Sequence, residues 1–163
     1  MTDGLGRGLV AGAVGAGVLT AIHQIGRATL DDPPRMDVVG RRALQRGAKP
    51  FGVRLQRREA QRWTLAGDLV ANALYYALVT RGSPAAAPWR GALLGALAGV
   101  GGVFLPERLG LGSRPSRATG STALLTVAWY AIGGLAAGLA ARRMSWEAGD
   151  PDLHDRLTAN MFV

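Results

Sequence analysis

The chain has 163 residues and a formal net charge of +8, and it contains 24 glycines and no cysteine. The length indicates one domain, over residues 1–163, and the lack of cysteine excludes disulfides, thiolate metal sites and cysteine nucleophiles. Glycine and alanine would make a loose core in water, whereas four apolar stretches separated by arginine-rich ones suit a bilayer. The predicted fold is therefore all-α, a polytopic membrane protein with a four-transmembrane-helix bundle. The predicted spans are residues 8–30, 63–80, 89–105 and 119–141.

The first span has two different faces at the helical spacing of about 100° per residue. Gly12 and Ala16 share one face, which becomes polar towards its end at His23, Gln24 and Arg27. Small residues let another helix approach closely, so Gly12 and Ala16 are predicted packing positions. The apolar run is longer than the core of a cleavable signal peptide, and we expect this span to be retained.

A basic segment, residues 31–62, separates the first span from the second. Two aspartates and two prolines at residues 31–34 predict the cap and first turn of an amphipathic helix. Arg41, Arg42 and Arg46 fall on its polar side, which indicates a helix in the lipid headgroup layer that contacts anionic headgroups. The alternative is a helix folded back over the cytoplasmic mouth of the bundle.

The second span begins at Trp63, an interfacial anchor, and carries Asp68 and Asn72 one turn apart. An aspartate at the centre of a membrane helix costs roughly 2.5 to 3.5 kcal/mol even on lenient insertion scales. We therefore expect Asp68 to face other helices, a partner or water rather than lipid.

Glycines at helical spacing distinguish the third and fourth spans. Gly95 and Gly99 lie four residues apart in the third span, and Gly134 and Gly138 repeat that spacing in the fourth. This spacing is typical of helices that associate closely in lipid, so all four are predicted packing positions. Pro106 is predicted to end the third span.

The composition of the chain changes in the acidic C-terminal tail, residues 145–163. Asp150, Asp152, His154 and Asp155 could bind a divalent cation weakly, but a solvated helix start is the simpler interpretation. No metal site is predicted.

The distribution of arginine favours one orientation in the membrane. Thirteen of the nineteen Lys and Arg residues lie at the end of the first span, in residues 31–62, or between the third and fourth spans. Short cytoplasmic loops hold such an excess, so both termini are predicted to be periplasmic, although Arg142 and Arg143 oppose this. Arginine-dominated usage and small size suggest the bacterial inner membrane. No nucleic-acid-binding motif accompanies the charge, and we expect no nucleic-acid partner.

The predicted topology brings polar residues of the first three spans to one level, near the cytoplasmic side. Its simplest internal arrangement pairs Asp68 with Arg27 or His23, so that each charge offsets the desolvation of the other. The predicted cluster consists of His23, Gln24, Arg27, Asp68, Asn72 and Glu107.

Several interpretations of this cluster remain open from the sequence. The cluster either joins the helices through polar contacts alone, or it forms a proton or ion pathway in which His23 and Asp68 titrate. A membrane-embedded enzyme is disfavoured because HExxH, phosphate-loop and GxSxG patterns do not occur. No cofactor is predicted, and a pigment or haem at His23 is a further alternative.

The faces of small residues, together with the missing catalytic motifs, predict a non-enzymatic integral membrane protein. We expect a packing module or an accessory subunit of a larger membrane complex, which associates with itself or with other membrane subunits. The alternative is a small proton- or ion-coupled transporter or channel that uses His23 and Asp68.

Overall fold

The computed structural model describes residues 2–53 and 56–149, and all regular structure in these residues is helical. The predicted all-α fold is confirmed. Short 3-10 helices at Lys49–Phe51, Ala77–Thr80 and Pro84–Ala86 extend or connect the α-helices. The α-helices are α1 Thr2–Thr29, α2 Met36–Ala48, α3 Arg57–Tyr76, α4 Ala87–Arg108, α5 Arg114–Arg117 and α6 Gly120–Gly149.

Three helices in the described residues are long and apolar enough to cross a membrane, at Gly4–Thr29, Pro84–Arg108 and Gly120–Ser145. They cover the third predicted span and all but one residue of the first and of the fourth, and they indicate a membrane protein. The predicted second span, residues 63–80, covers the later part of α3 and the 3-10 helix Ala77–Thr80, and α3 is not one of the three. Asp68 and Asn72 interrupt its apolar sequence and lower its hydropathy.

The four long helices, α1, α3, α4 and α6, lie side by side in a row. In this row α6 lies between α1 and α4, and α1 lies between α6 and α3. The two outer helices, α3 and α4, meet each other mainly near the short connection that joins them. Away from this connection, towards α2, the two outer helices leave a groove between them.

The closest helix pair is α4 with α6, and small residues make this contact possible. A Cβ on Gly95 would lie 2.7 Å from the Cα of Ala131, and a Cβ on Gly138 would lie 2.6 Å from the Cα of Pro88. Any larger residue would force the backbones apart. The glycines in such contacts between α4 and α6 are Gly91, Gly95, Gly99, Gly134 and Gly138.

The middle of α1 packs on α3 and α6 through small residues as well. A Cβ on Gly12 would lie 2.9 Å from the carbonyl carbon of Ala73 in α3, and Ala16 is buried. The core beside them contains Tyr76, whose hydroxyl donates to the backbone carbonyl of Tyr130 at 2.8 Å. The predicted packing residues of α1, α4 and α6 thus lie inside this one chain.

Some predicted boundaries are wrong. The residue before α2 is Arg35, with no side-chain capping bond, so residues 31–34 do not cap this helix. The backbone holds this linker instead, since the amide of Arg35 donates to the carbonyl of Pro115 at 2.7 Å. Pro106 lies within the last turn of α4 and does not end it. The tail from residue 150, with its candidate cation ligands, lies outside the described residues.

Candidate functional site

A polar cavity of about 70 Å³ opens at the end of the helix row where α1 ends and α3 begins. The linker after α1 turns the chain back, so that α2 crosses this end and forms the third wall. The cavity is too small for most organic ligands, whose pockets are about 300 to 1,000 Å³, but it has room for water. Its lining residues are Thr20, His23, Gln24, Arg27, Met36, Asp37, Arg41, Gln61, Thr64, Leu65 and Asp68.

His23 contributes a nitrogen without a hydrogen-bond partner. Its Nδ1 lies 2.9 Å from the carbonyl oxygen of Leu19, and because a carbonyl only accepts, Nδ1 carries the hydrogen. The other ring nitrogen, Nε2, is buried and has no partner among the described residues. The ring of Trp129 meets the imidazole edge to face, at 4.9 Å between centroids. In the neutral ring, Nε2 is therefore a fixed acceptor.

Thr64 supplies a second buried polar atom without a partner in the same cavity. The residue is 8% exposed, and its Oγ1 has no hydrogen bond within the described residues. Its methyl group packs on α2, where a Cβ on Gly40 would lie 2.7 Å from Cγ2 of Thr64. Buried polar atoms in folded proteins nearly always have a partner, so these two exceptions, on residues that line the same cavity, mark it as the candidate site.

Asp68 lies on the α3 wall of the cavity and is exposed at the surface of the chain. No ion pair within 4 Å involves its carboxylate in the part of the chain that the structure describes. Asn72 donates to the backbone carbonyl of Asp68 at 2.9 Å, within the same helix. The predicted pairing of Asp68 with Arg27 or His23 is not formed as an ion pair.

Arg27 pairs with Asp37 of α2, a residue that the sequence interpretation missed. The distance from Arg27 Nη1 to Asp37 Oδ2 is 3.6 Å, and Arg35 donates its Nε hydrogen to Asp37 Oδ1 at 3.3 Å. Asp37 therefore fixes the end of α1 to the first turn of α2. An acidic residue just after the two prolines, at the start of a predicted helix, is the sequence signal that could have revealed it.

Two members of the predicted cluster are not brought to the cavity. Asn72 lies one turn beyond Asp68 and is outside the cavity lining. Glu107 forms an ion pair with Arg117 of α5 at the end of α4. The structure therefore brings together four of the six predicted residues: His23, Gln24, Arg27 and Asp68.

The arginines predicted to contact headgroups have two different positions. Arg41 lines the cavity. Arg42 donates to the carbonyl of Leu111 at 2.6 Å, and Arg46 donates to the carbonyls of Leu109 and Gly110 at 3.2 and 3.0 Å. These bonds hold α2 against the loop after α4, so α2 takes the alternative placement, folded back over the end of the bundle.

A second cavity, of about 260 Å³, lies at the opposite end of the helix row. Arg7 and Arg90 are in its lining, and Arg90 donates to the carbonyls of Val79 and Ser83. Between the two cavities lie the fully buried side chains of Leu19 and Tyr76. The chain thus has a polar recess at each end and a packed layer between them.

The described residues contain no group of three metal-ligating side chains. His23 alone could ligate a metal or a macrocycle through Nε2, but Trp129 packs on its ring and the adjacent cavity is small. A pigment or haem at this position would require the surrounding helices to move.

Comparisons of the chain with known protein families, with curated proteins and with solved structures found no match.

Proposed function

We propose that this protein is a small, non-enzymatic transporter or channel of the bacterial inner membrane, in which protons enter through the polar cavity. The observation that carries the proposal is the cavity itself, which is lined by Asp68 and by His23, whose buried Nε2 has no partner among the described residues. Ionisable residues at membrane depth are functional candidates because burying them there is costly.

In this proposal α3 is the fourth membrane span. Its part from residue 63 onward, together with the 3-10 helix Ala77–Thr80, extends about 29 Å, close to the thickness of the hydrocarbon core. Asp68 interrupts the apolar sequence of α3 on the side of the cavity, through which water would reach the carboxylate. With four spans, the basic end that carries α2 is cytoplasmic and the two termini are periplasmic.

The proposed chemistry is proton binding. A proton from the cavity binds the lone pair of His23 Nε2, while the nearby carboxylate of Asp68 offsets the new positive charge. Passage to the recess at the opposite end then requires repacking around Leu19 and Tyr76, which separate the two cavities.

Proton flux into proteoliposomes that contain a pH-sensitive dye tests this function. A potassium diffusion potential drives the flux, and we expect Asp68→Asn and His23→Gln each to lower it at least tenfold. Asp31→Asn is the matched control, because Asp31 is exposed and lies outside the cavity. Wild-type flux equal to that of protein-free vesicles would contradict the proposal.

Single cysteines test the number of spans, since the chain has no cysteine of its own. Gly47 in α2 and Ser83 before α4 are both exposed. If α3 crosses the membrane, a membrane-impermeant thiol reagent added from the periplasm labels Ser83→Cys and not Gly47→Cys. Labelling of both variants from one side would show that α3 does not cross.

The second candidate function is that of an accessory subunit, and an open face of α1 favours it. Ala13, Gly17 and Ala21 are exposed at four-residue spacing, and a Cβ on Gly17 would meet no atom within 4 Å. The packing glycines of α4 and α6, Gly91, Gly95, Gly99, Gly134 and Gly138, are already covered within the chain, so a partner helix would use this face of α1.

The mass of the complex in mild detergent tests this second candidate. We expect Gly17→Leu to reduce the complex to a single chain, because the larger side chain prevents close approach of another helix. Gly47→Leu is the matched control, since this glycine is exposed in α2, away from the proposed face. An unchanged mass for Gly17→Leu would exclude association through this face.

A further inference from the structure

An apolar groove of about 450 Å³ lies between α3 and α4, beneath α2. It exists because α3 packs on α1 and α4 packs on α6, so that the two outer helices diverge. They meet near their connection, where the hydroxyl of Tyr75 donates to the carbonyl of Leu94 at 2.9 Å. Beyond that bond the groove is lined by Met36, Val39 and Tyr75, and by Leu97 and Leu105 of α4.

Two arginines lie at the rim of this groove. Leu109 and Leu111 are part of the groove lining, and their backbone carbonyls accept hydrogen bonds from Arg46 and Arg42. The guanidinium groups are thereby fixed beside the apolar opening. Each guanidinium has five N–H donors, and both arginines are exposed, so donors remain for a further acceptor.

We propose that this groove binds one anionic phospholipid. An acyl chain lies between α3 and α4, and the phosphate accepts hydrogen bonds from Arg42 and Arg46 at the rim. Charge complementarity identifies the occupant, because an apolar groove that ends at two fixed guanidinium groups matches a lipid with an apolar chain and a negative headgroup. The inference depends on the membrane location and not on proton transport.

This site differs from a helix that only rests on the headgroup layer. The hydrogen bonds of Arg42 and Arg46 orient both side chains before a lipid arrives, so less conformational entropy is lost on binding. A bound lipid would also fill the space between the outer helices and tie α2 to α4. We therefore expect a single retained lipid rather than a diffuse lipid shell.

Native mass spectrometry of the full chain in mild detergent tests the proposal. After addition of phosphatidylglycerol or phosphatidylethanolamine, we expect one phosphatidylglycerol to stay bound, with an affinity at least tenfold above that for phosphatidylethanolamine. Gly101→Leu adds a side chain to the groove wall and should abolish retention, since a Cβ there meets only Leu105, at 3.4 Å.

Two further variants separate the headgroup contact from the groove. The double variant Arg42→Gln, Arg46→Gln should lower phosphatidylglycerol affinity at least tenfold, whereas Arg81→Gln, an exposed arginine at the opposite end, should not. Equal retention of the two lipids by the wild type, or full retention by Gly101→Leu, would overturn the proposal. The Gly101→Leu result decides it if the double arginine variant fails to fold.

Discussion

The α4–α6 pair and the corner formed by α1, α2 and α3 are packed in two different ways within one small chain. In the pair, glycines let the two backbones approach until a Cβ on Gly95 would lie 2.7 Å from the Cα of Ala131. In the corner, polar side chains from three helices line a cavity, and two of its lining residues, His23 and Thr64, each have a buried polar atom without a partner among the described residues. The pair is therefore packed backbone against backbone, whereas the corner holds ionisable side chains.

The difference teaches where a membrane protein of this size can place polar groups. Dispersion contacts between close backbones stabilise helix association in lipid, where the hydrophobic effect between helices is absent. Around the cavity, the corner adds polar contacts, which include the Arg27–Asp37 ion pair and the capping box at the start of α3. Substitutions in the two regions should therefore differ in the size of their effects.

The largest effect is expected from Gly95→Leu. A leucine cannot fit against the backbone of α6, so we expect the free energy of unfolding to fall by about 3 kcal/mol. Unfolding in mixed detergent micelles measures this change. The matched control is Gly17→Leu, where a Cβ meets no atom within 4 Å and the stability of the single chain should stay the same. Equal losses for the two variants would remove the contrast between closed and open faces.

An intermediate effect is expected from Tyr76→Phe in the layer between the two cavities. The variant removes the buried hydrogen bond to the carbonyl of Tyr130, and a loss of about 1 kcal/mol follows. Tyr75→Phe is the control, because the bond of Tyr75 to Leu94 lies in a half-buried position and should contribute less. A larger loss for Tyr75→Phe than for Tyr76→Phe would contradict this order.

The smallest effect is expected for the ion pair that closes the corner. A double-mutant cycle with Arg27→Gln and Asp37→Asn should give a coupling energy below about 1 kcal/mol, since both side chains are partly exposed. The coupling should also decrease at high salt, because solvent screens the pair. A coupling energy as large as the loss from Gly95→Leu would contradict the expected order of the effects in the two regions.

The sequence alone determined the helical fold and the positions of the apolar helices, because hydropathy and the spacing of small residues are local patterns. Four residues of its predicted polar cluster, Asp68 among them, do line one cavity. The sequence predicted four spans, whereas three of the described helices are long and apolar enough to cross a membrane. The difference is α3, which combines an apolar sequence with the carboxylate of Asp68.

Only the tertiary structure decided which groups meet. The sequence could not show that Arg27 pairs with Asp37, because α2 is folded back across the end of α1 by the turn at residues 30–35. Nor could it show that the α4 and α6 glycines face each other, since spacing reveals a face and not its partner. Such contacts depend on the order of helices in the row, which the combined packing of all faces determines.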